Sequence, residues 1–164
     1  RKISQVVDKN RERYVSHLRQ LLRQPSIAIT GEGIEETAKI IHKHLESLGA
    51  KSAIVPSTLR GGSPIVYGHL KANAASKTML VYGMYDTVSV DYPEEWSSPP
   101  WEANIVNGRI IGRGAVNTKG PLLAFIESVS AIAEAGLDLP VNLIFVIEGE
   151  EETGSHSLPA FLDK

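Results

Sequence analysis

The sequence predicts an α/β fold, with a mixed, mostly parallel central sheet flanked by helices. Three observations predict it. Apolar stripes at helical spacing alternate along the chain with short β-branched and aliphatic runs. The run VNLIFVI, residues 141–147, is almost continuously apolar, as in a strand covered on both faces. The runs ending near Tyr82 and Ile147 lead into glycine and acidic residues, and α/β sheets bind their ligands beyond the carboxyl ends of strands.

Each element follows from local pattern. Ile3, Val6, Val7, Tyr14, Leu18, Leu21 and Leu22 predict one amphipathic helix over residues 3–23, ended by Pro25. Ile34, Ala38, Ile41, Leu45 and Leu48 predict a second helix, with Gly49 as its left-handed cap. Lys51–Val55 is a short strand closed by Pro56, and residues 60–64 form a turn-rich loop. Ile65–Leu70 and residues 78–83 are predicted as buried strands, with KANAASK as a hairpin-like link between them. The proline-rich stretch 89–103 is predicted as a long ordered loop, and Asn107-Gly108 as a tight hairpin turn. Residues 119–135 form a helix with Pro121 in its first turn and Gly136 at its end. Ser155 is the expected N-cap of a last helix over 155–162.

Composition narrows the function classes. The chain has 164 residues, 42% hydrophobic and 22% charged, with a net charge of −2, which suits one globular domain. No basic patch argues for nucleic acid, and no apolar run approaches the ~20 residues that span a bilayer. The polar start, RKISQVVDKNRERY, does not read as a signal peptide. The absence of cysteine excludes disulfides and thiolate metal sites and fits a reducing, cytoplasmic compartment.

Three segments carry candidate chemistry: Gly83-Met84-Tyr85-Asp86, the glycine-rich turn at residues 112–120, and the acidic run EGEEETGS. Four glutamates within five positions repel one another unless solvent, a cation or a proton resolves the charge. A solvated acidic loop is the plain reading, but a run placed after a buried strand suits a metal or general-base site better. The glycine-rich turn lacks the dinucleotide and P-loop spacings, although Lys119 could meet an anion at a helix N-terminus.

Together, YGMYDTVSVDYPEEWSSPPWEANIVNGRIIGRGAVNTKGP and EGEEETGS resemble one family. It is the dinuclear-zinc exopeptidase and deacylase family of carnosine dipeptidases, acetylornithine deacetylase, succinyl-diaminopimelate desuccinylase and the glutamate-releasing carboxypeptidases, and the dipeptidase branch is most similar. The resemblance implies hydrolysis of amide or peptide bonds in small, dipeptide-like substrates, with zinc as cofactor. It implies that residues 1–164 are the N-terminal part of a catalytic α/β domain. The rest of that domain and a lid or dimerisation domain would lie on further sequence or on a complementary chain, in a homo-oligomer.

Position by position, the resemblance implies that Glu151 is the general base, Glu152 a zinc ligand, and Asp86 the carboxylate that orients a zinc-bound histidine. Two positions depart from the pattern. Met84 stands where that histidine belongs, and Asn117 stands where an aspartate bridges both metals. A thioether is a soft ligand, ill suited to replace imidazole on zinc, and asparagine keeps one oxygen but loses the charge. The expected consequence is no zinc, or one weakly held ion around Glu152. His69 and His156 are the histidines near enough in sequence to substitute. Two functions stay open: a hydrolase with weak-metal or metal-independent chemistry, and a non-catalytic pseudoenzyme serving as a binding or assembly subunit.

Overall fold

A computed structural model of the chain describes residues 1–163. In chain order the elements are α1 (Lys2–Lys9), α2 (Arg11–Arg23), α3 (Ile34–Ser47), β1 (Lys51–Val55), β2 (Ile65–Leu70), β3 (Thr78–Met84), β4 (Asn104–Val106), β5 (Arg109–Ile111), α4 (Lys119–Glu134), β6 (Asn142–Glu148) and α5 (Ser157–Leu162). The main sheet has the order β1-β2-β6-β3. β1 and β2 pair antiparallel, as do β2 and β6, whereas β3 and β6 run parallel. β1, β3 and β6 thus share one direction and β2 opposes them, giving the mixed sheet expected. β4 and β5 form a separate hairpin whose turn residues, Asn107 and Gly108, have φ of 50° and 76°. Both being positive, they give the twist that a two-residue hairpin needs.

One face of the sheet holds the core. Val66, Leu70, Leu143, Phe145 and Ile147 meet Ile41 and Leu45 of α3 and Leu122 and Ile126 of α4 in one buried cluster. The helices lie so close that a Cβ at Gly68 or Gly83 would come within 2.9 Å of Leu45 or Leu122. The other face is sparsely covered: Tyr67 meets Phe161 of α5, while Leu80 and Tyr82 of β3 are exposed. No helix of the described residues is long and apolar enough to cross a membrane.

The structure corrects four local expectations. β3, expected as a buried strand, is an edge strand with Met79, Leu80 and Tyr82 exposed. The helix expected over 3–23 breaks at Asn10, with φ −103° and ψ 11°. The Asn10 side chain donates to Glu134 Oε2 at 3.0 Å, and asparagine readily trades helical geometry for such a bond. The strands on either side of KANAASK do not form a hairpin, because β6 lies between them. That link instead clasps the start of β6: Ala72 N donates to Asn142 Oδ1 and Asn142 N donates to Lys77 O, each at 2.9 Å. Ser155 is not the cap of the last helix. It sits at φ 54° with its hydroxyl on Glu148 Oε1, and α5 starts at Ser157.

Candidate active site

β3 and β6 end level with one another, since Met84 is registered against Glu148. The loops that leave them therefore emerge side by side, and Tyr85 N extends the ladder to Glu148 O at 2.9 Å. The segment around Ser26 braces this end of the sheet: Thr87 N donates to Ser26 O at 2.8 Å, and Ser26 Oγ to Tyr85 O at 2.6 Å. The glycine-rich turn that opens α4 closes the site from the third side. Met84 and Asn117 line one cavity of about 260 Å³ with Tyr82, Thr118 and Leu122. Asn117 Nδ2 donates to Glu152 Oε1 at 3.4 Å, and Glu152 N donates to Asp86 Oδ2 at 2.9 Å. Asp86, Met84, Asn117 and Glu152, predicted from separate segments, are thus neighbours.

The acidic run divides into two kinds of carboxylate. Glu148 is 1% exposed, and its Oε1 accepts from the Tyr82 hydroxyl at 2.5 Å and from Ser155 Oγ at 2.9 Å. Burial, then the Glu148 carboxylate, raises the Tyr82 hydroxyl above its ordinary pKa, so the phenol keeps its proton and donates. Glu150 accepts from Ser63 N at 2.7 Å on one oxygen and from Ser157 N at 2.8 Å on the other. It ties the 60–64 loop and the first turn of α5 to the strand end. Glu151 and Glu152 keep partly exposed side chains. The repulsion read from the sequence is eased by turning half of the run inward onto donors. The sequence reading missed these roles for Glu148 and Glu150. Ser155, whose hydroxyl donates back to Glu148, was the available signal for the first; Glu150 is held by backbone N–H groups that no residue type marks.

Asp86 is fully buried. Burial pushes its carboxyl up to about 6, against the pull of the Glu152 and Glu151 N–H groups in the other direction. Its Oδ1 is buried without a hydrogen-bond partner among the described residues. Met84, two residues before Asp86, carries a thioether with no N–H or O–H to donate.

The other sequence candidates fall elsewhere. His69 lies within β2, registered against Lys51 and Ile144. His156 is exposed and borders a different cleft, with Ala28, Arg60 and Glu150. Lys119 does not face an anion site: it is fully buried, donates to Gln24 O, and lies 5.6 Å from the Trp101 ring centre. Burial lowers it to about 7.

With this geometry established, comparison with known proteins gives a consistent result. The family described as Peptidase family M20/M25/M40 matches residues 80–164. Cys-Gly metallodipeptidase dug1 of Schizosaccharomyces pombe is 33% identical over 96% of this chain and 35% of its own length. The crystal structure of human carnosine dipeptidase 1 superposes with a TM-score of 0.91 at 29% identity, over 99% of this chain and 37% of that one. An M20 family metallo-carboxypeptidase from Sulfolobus solfataricus, Sso-CP2, gives a TM-score of 0.84 at 38% identity, over 92% of this chain and 33% of that one. The chain spans about a third of the length of the curated relatives it matches. The two motifs, the sheet that brings them together and the match over residues 80–164 agree, and the chain belongs to peptidase family M20/M25/M40.

Proposed function

We propose that this chain forms the N-terminal part of the catalytic domain of a hydrolase acting on peptide or other amide bonds of small, dipeptide-like substrates. Its strand-end site is atypical, and a two-zinc centre does not fit the residues present. Such a centre needs an imidazole and a bridging carboxylate. The corresponding positions offer the Met84 thioether and the neutral Asn117 amide. The observation that carries this reading is the pairing of Asn117 with Glu152: a neutral amide, with its Nδ2 3.4 Å from Glu152 Oε1, stands where the resemblance implies a bridging carboxylate. Asp86 Oδ1, buried and unpartnered, supports it from the other side.

On this reading Glu151 is the base. The residue is partly exposed, while the neighbouring glutamates at 148 and 150 are engaged by Tyr82, Ser155, Ser63 and Ser157. It is placed to take a proton from an attacking water and return it to the departing amine. Asp86 holds the Glu152 backbone, and so the turn bearing both glutamates. The remainder of the catalytic domain and any lid or dimerisation domain would supply the substrate-binding groups.

The test is hydrolysis of dipeptides and N-acyl amino acids by the protein carrying this chain, with and without zinc or chelator, beside Glu151→Gln. The expected result is turnover that resists chelator and falls about 10²–10⁴-fold in Glu151→Gln, the usual range for a general base. Two tightly held zinc ions per chain would overturn the atypical site. A folded protein with no turnover on any of these substrates would favour the binding or assembly role.

A further inference from the structure

A second constellation lies away from the strand ends, where α2, α3 and α4 meet. His17 of α2, His44 of α3 and Glu127 of α4 face one another across a cleft of about 410 Å³. Each offers one donor atom within 4.8 Å of the others. His17 Nδ1 lies 2.6 Å from Glu127 Oε1. The two imidazole rings meet edge-on, with centres 5.2 Å apart. Glu127 keeps only 11% of its side-chain exposure and His17 34%. None of the three belongs to either family motif.

We infer that His17, His44 and Glu127 form a binding site for a divalent transition metal of the zinc class. Two imidazoles and one carboxylate are the donor types zinc takes, at about 2.0–2.2 Å each. That set leaves the fourth position to a water from the open cleft. An all-oxygen cation such as calcium or magnesium gains nothing from the two nitrogens. Tetrahedral bonds of that length separate donor atoms by roughly 3.3 Å, so side-chain rotations alone bring the trio together. Two further features favour a metal over a plain hydrogen-bonded pair. The His44 ring nitrogens have no protein hydrogen-bond partner among the described residues, although the ring lines the cleft. Arg13, the nearby guanidinium, is taken up by Glu134 at 2.5 Å and leaves Glu127 without a permanent cation. On binding, the metal takes the place of the hydrogen bond between His17 Nδ1 and Glu127, and a neutral His17 ring then carries its N–H on Nε2. The three donors come from three helices far apart in sequence. The ion would therefore act as a clamp that holds α2 against α3 and α4.

The test is titration of chelator-stripped protein with zinc, read as thermal stability, and with cobalt, read as visible absorbance. The parent, His44→Leu, Glu127→Gln and Glu152→Gln are compared. The expected result is one tight equivalent in the parent and in Glu152→Gln, absent from His44→Leu and Glu127→Gln. Zinc at a hundred times its Kd should raise the parent's Tm on the order of 5–10 °C. Equal stoichiometry and spectra in the parent and His44→Leu would overturn the site. So would a parent Tm indifferent to zinc. If a variant fails to fold, the ring ¹⁵N resonances of the parent decide. Zinc must shift those of His17 and His44 while leaving His42, His69 and His156 in place, and unmoved His17 and His44 resonances reject the site.

Discussion

At the strand ends, two carboxylates are held by backbone amides. Asp86 accepts from the Glu152 amide, and Glu150 accepts from two amides at once. In the helix cleft, Glu127 is held by a side chain alone, through His17. The strand-end site has the family motifs but presents a thioether at Met84 and an amide at Asn117, where the resemblance implies metal ligands. The cleft has no motif and presents two imidazoles and a carboxylate. If both proposals hold, motif and metal-binding capacity are separable. The motif preserves a turn geometry through backbone hydrogen bonds, while capacity depends on which donor atoms the side chains bring.

The largest effect that would break this contrast comes from restoring the two ligands. Met84→His with Asn117→Asp puts an imidazole two residues before Asp86, whose Oδ1 is unpartnered among the described residues, and a negative charge beside Glu152. Structural zinc gains about 10–16 kcal/mol from four ligands, so two restored ligands should tighten zinc binding by roughly 10³-fold or more. Equilibrium dialysis against a zinc-responsive dye measures it. Affinity unchanged in the double variant would mean that the motif's geometry, not its ligands, limits this site.

How far these two regions were legible in the sequence follows from the range of the interactions that build them. Strands, helices and the Asn107-Gly108 turn follow from local periodicity and turn chemistry, so they were readable. The break at Asn10 depends on Glu134, distant along the chain, and the insertion of β6 between β2 and β3 is a choice of partner that no local pattern encodes. Within EGEEETGS nothing local separates Glu150, which faces two amides, from Glu151, which faces solvent. The helix-cleft trio was invisible for the same reason. His17, His44 and Glu127 each lie on an ordinary helix, and only the packing of three helices makes them neighbours.

An intermediate effect concerns α4, which joins the two regions: its start borders the strand-end site and Glu127 lies farther along it. Lys119, buried at that start, is lowered to about 7, while in the unfolded chain it titrates near its ordinary 10.5. Between those values the unfolded chain binds the extra proton. Stability therefore rises with pH across that window, by up to about 1.4 kcal/mol per pH unit, and the burial penalty is fully present below 7. Urea unfolding in chelator at several pH values should show this rise in the parent and lose it in Lys119→Met. Parallel pH profiles for the two proteins would place the charge of Lys119 in water.

The smallest effect sharpens the contrast most directly, because the same substitution is made in both regions. Glu150→Gln keeps one acceptor oxygen, but its NH₂ must face the N–H of Ser63 or Ser157. Two donors then meet at a side chain only 8% exposed. One buried amide is left unsatisfied, which costs about 1–3 kcal/mol. Glu127→Gln keeps an oxygen for the His17 ring to donate to, and its NH₂ replaces an oxygen that no protein donor holds among the described residues. Without metal its cost should stay near or below about 1 kcal/mol, the net value of one ordinary hydrogen bond. Urea midpoints of both variants in chelator decide between backbone-held and side-chain-held carboxylates. If Glu127→Gln proves as damaging as Glu150→Gln, the helix cleft is as rigidly specified as the strand ends, and the distinction between the regions fails.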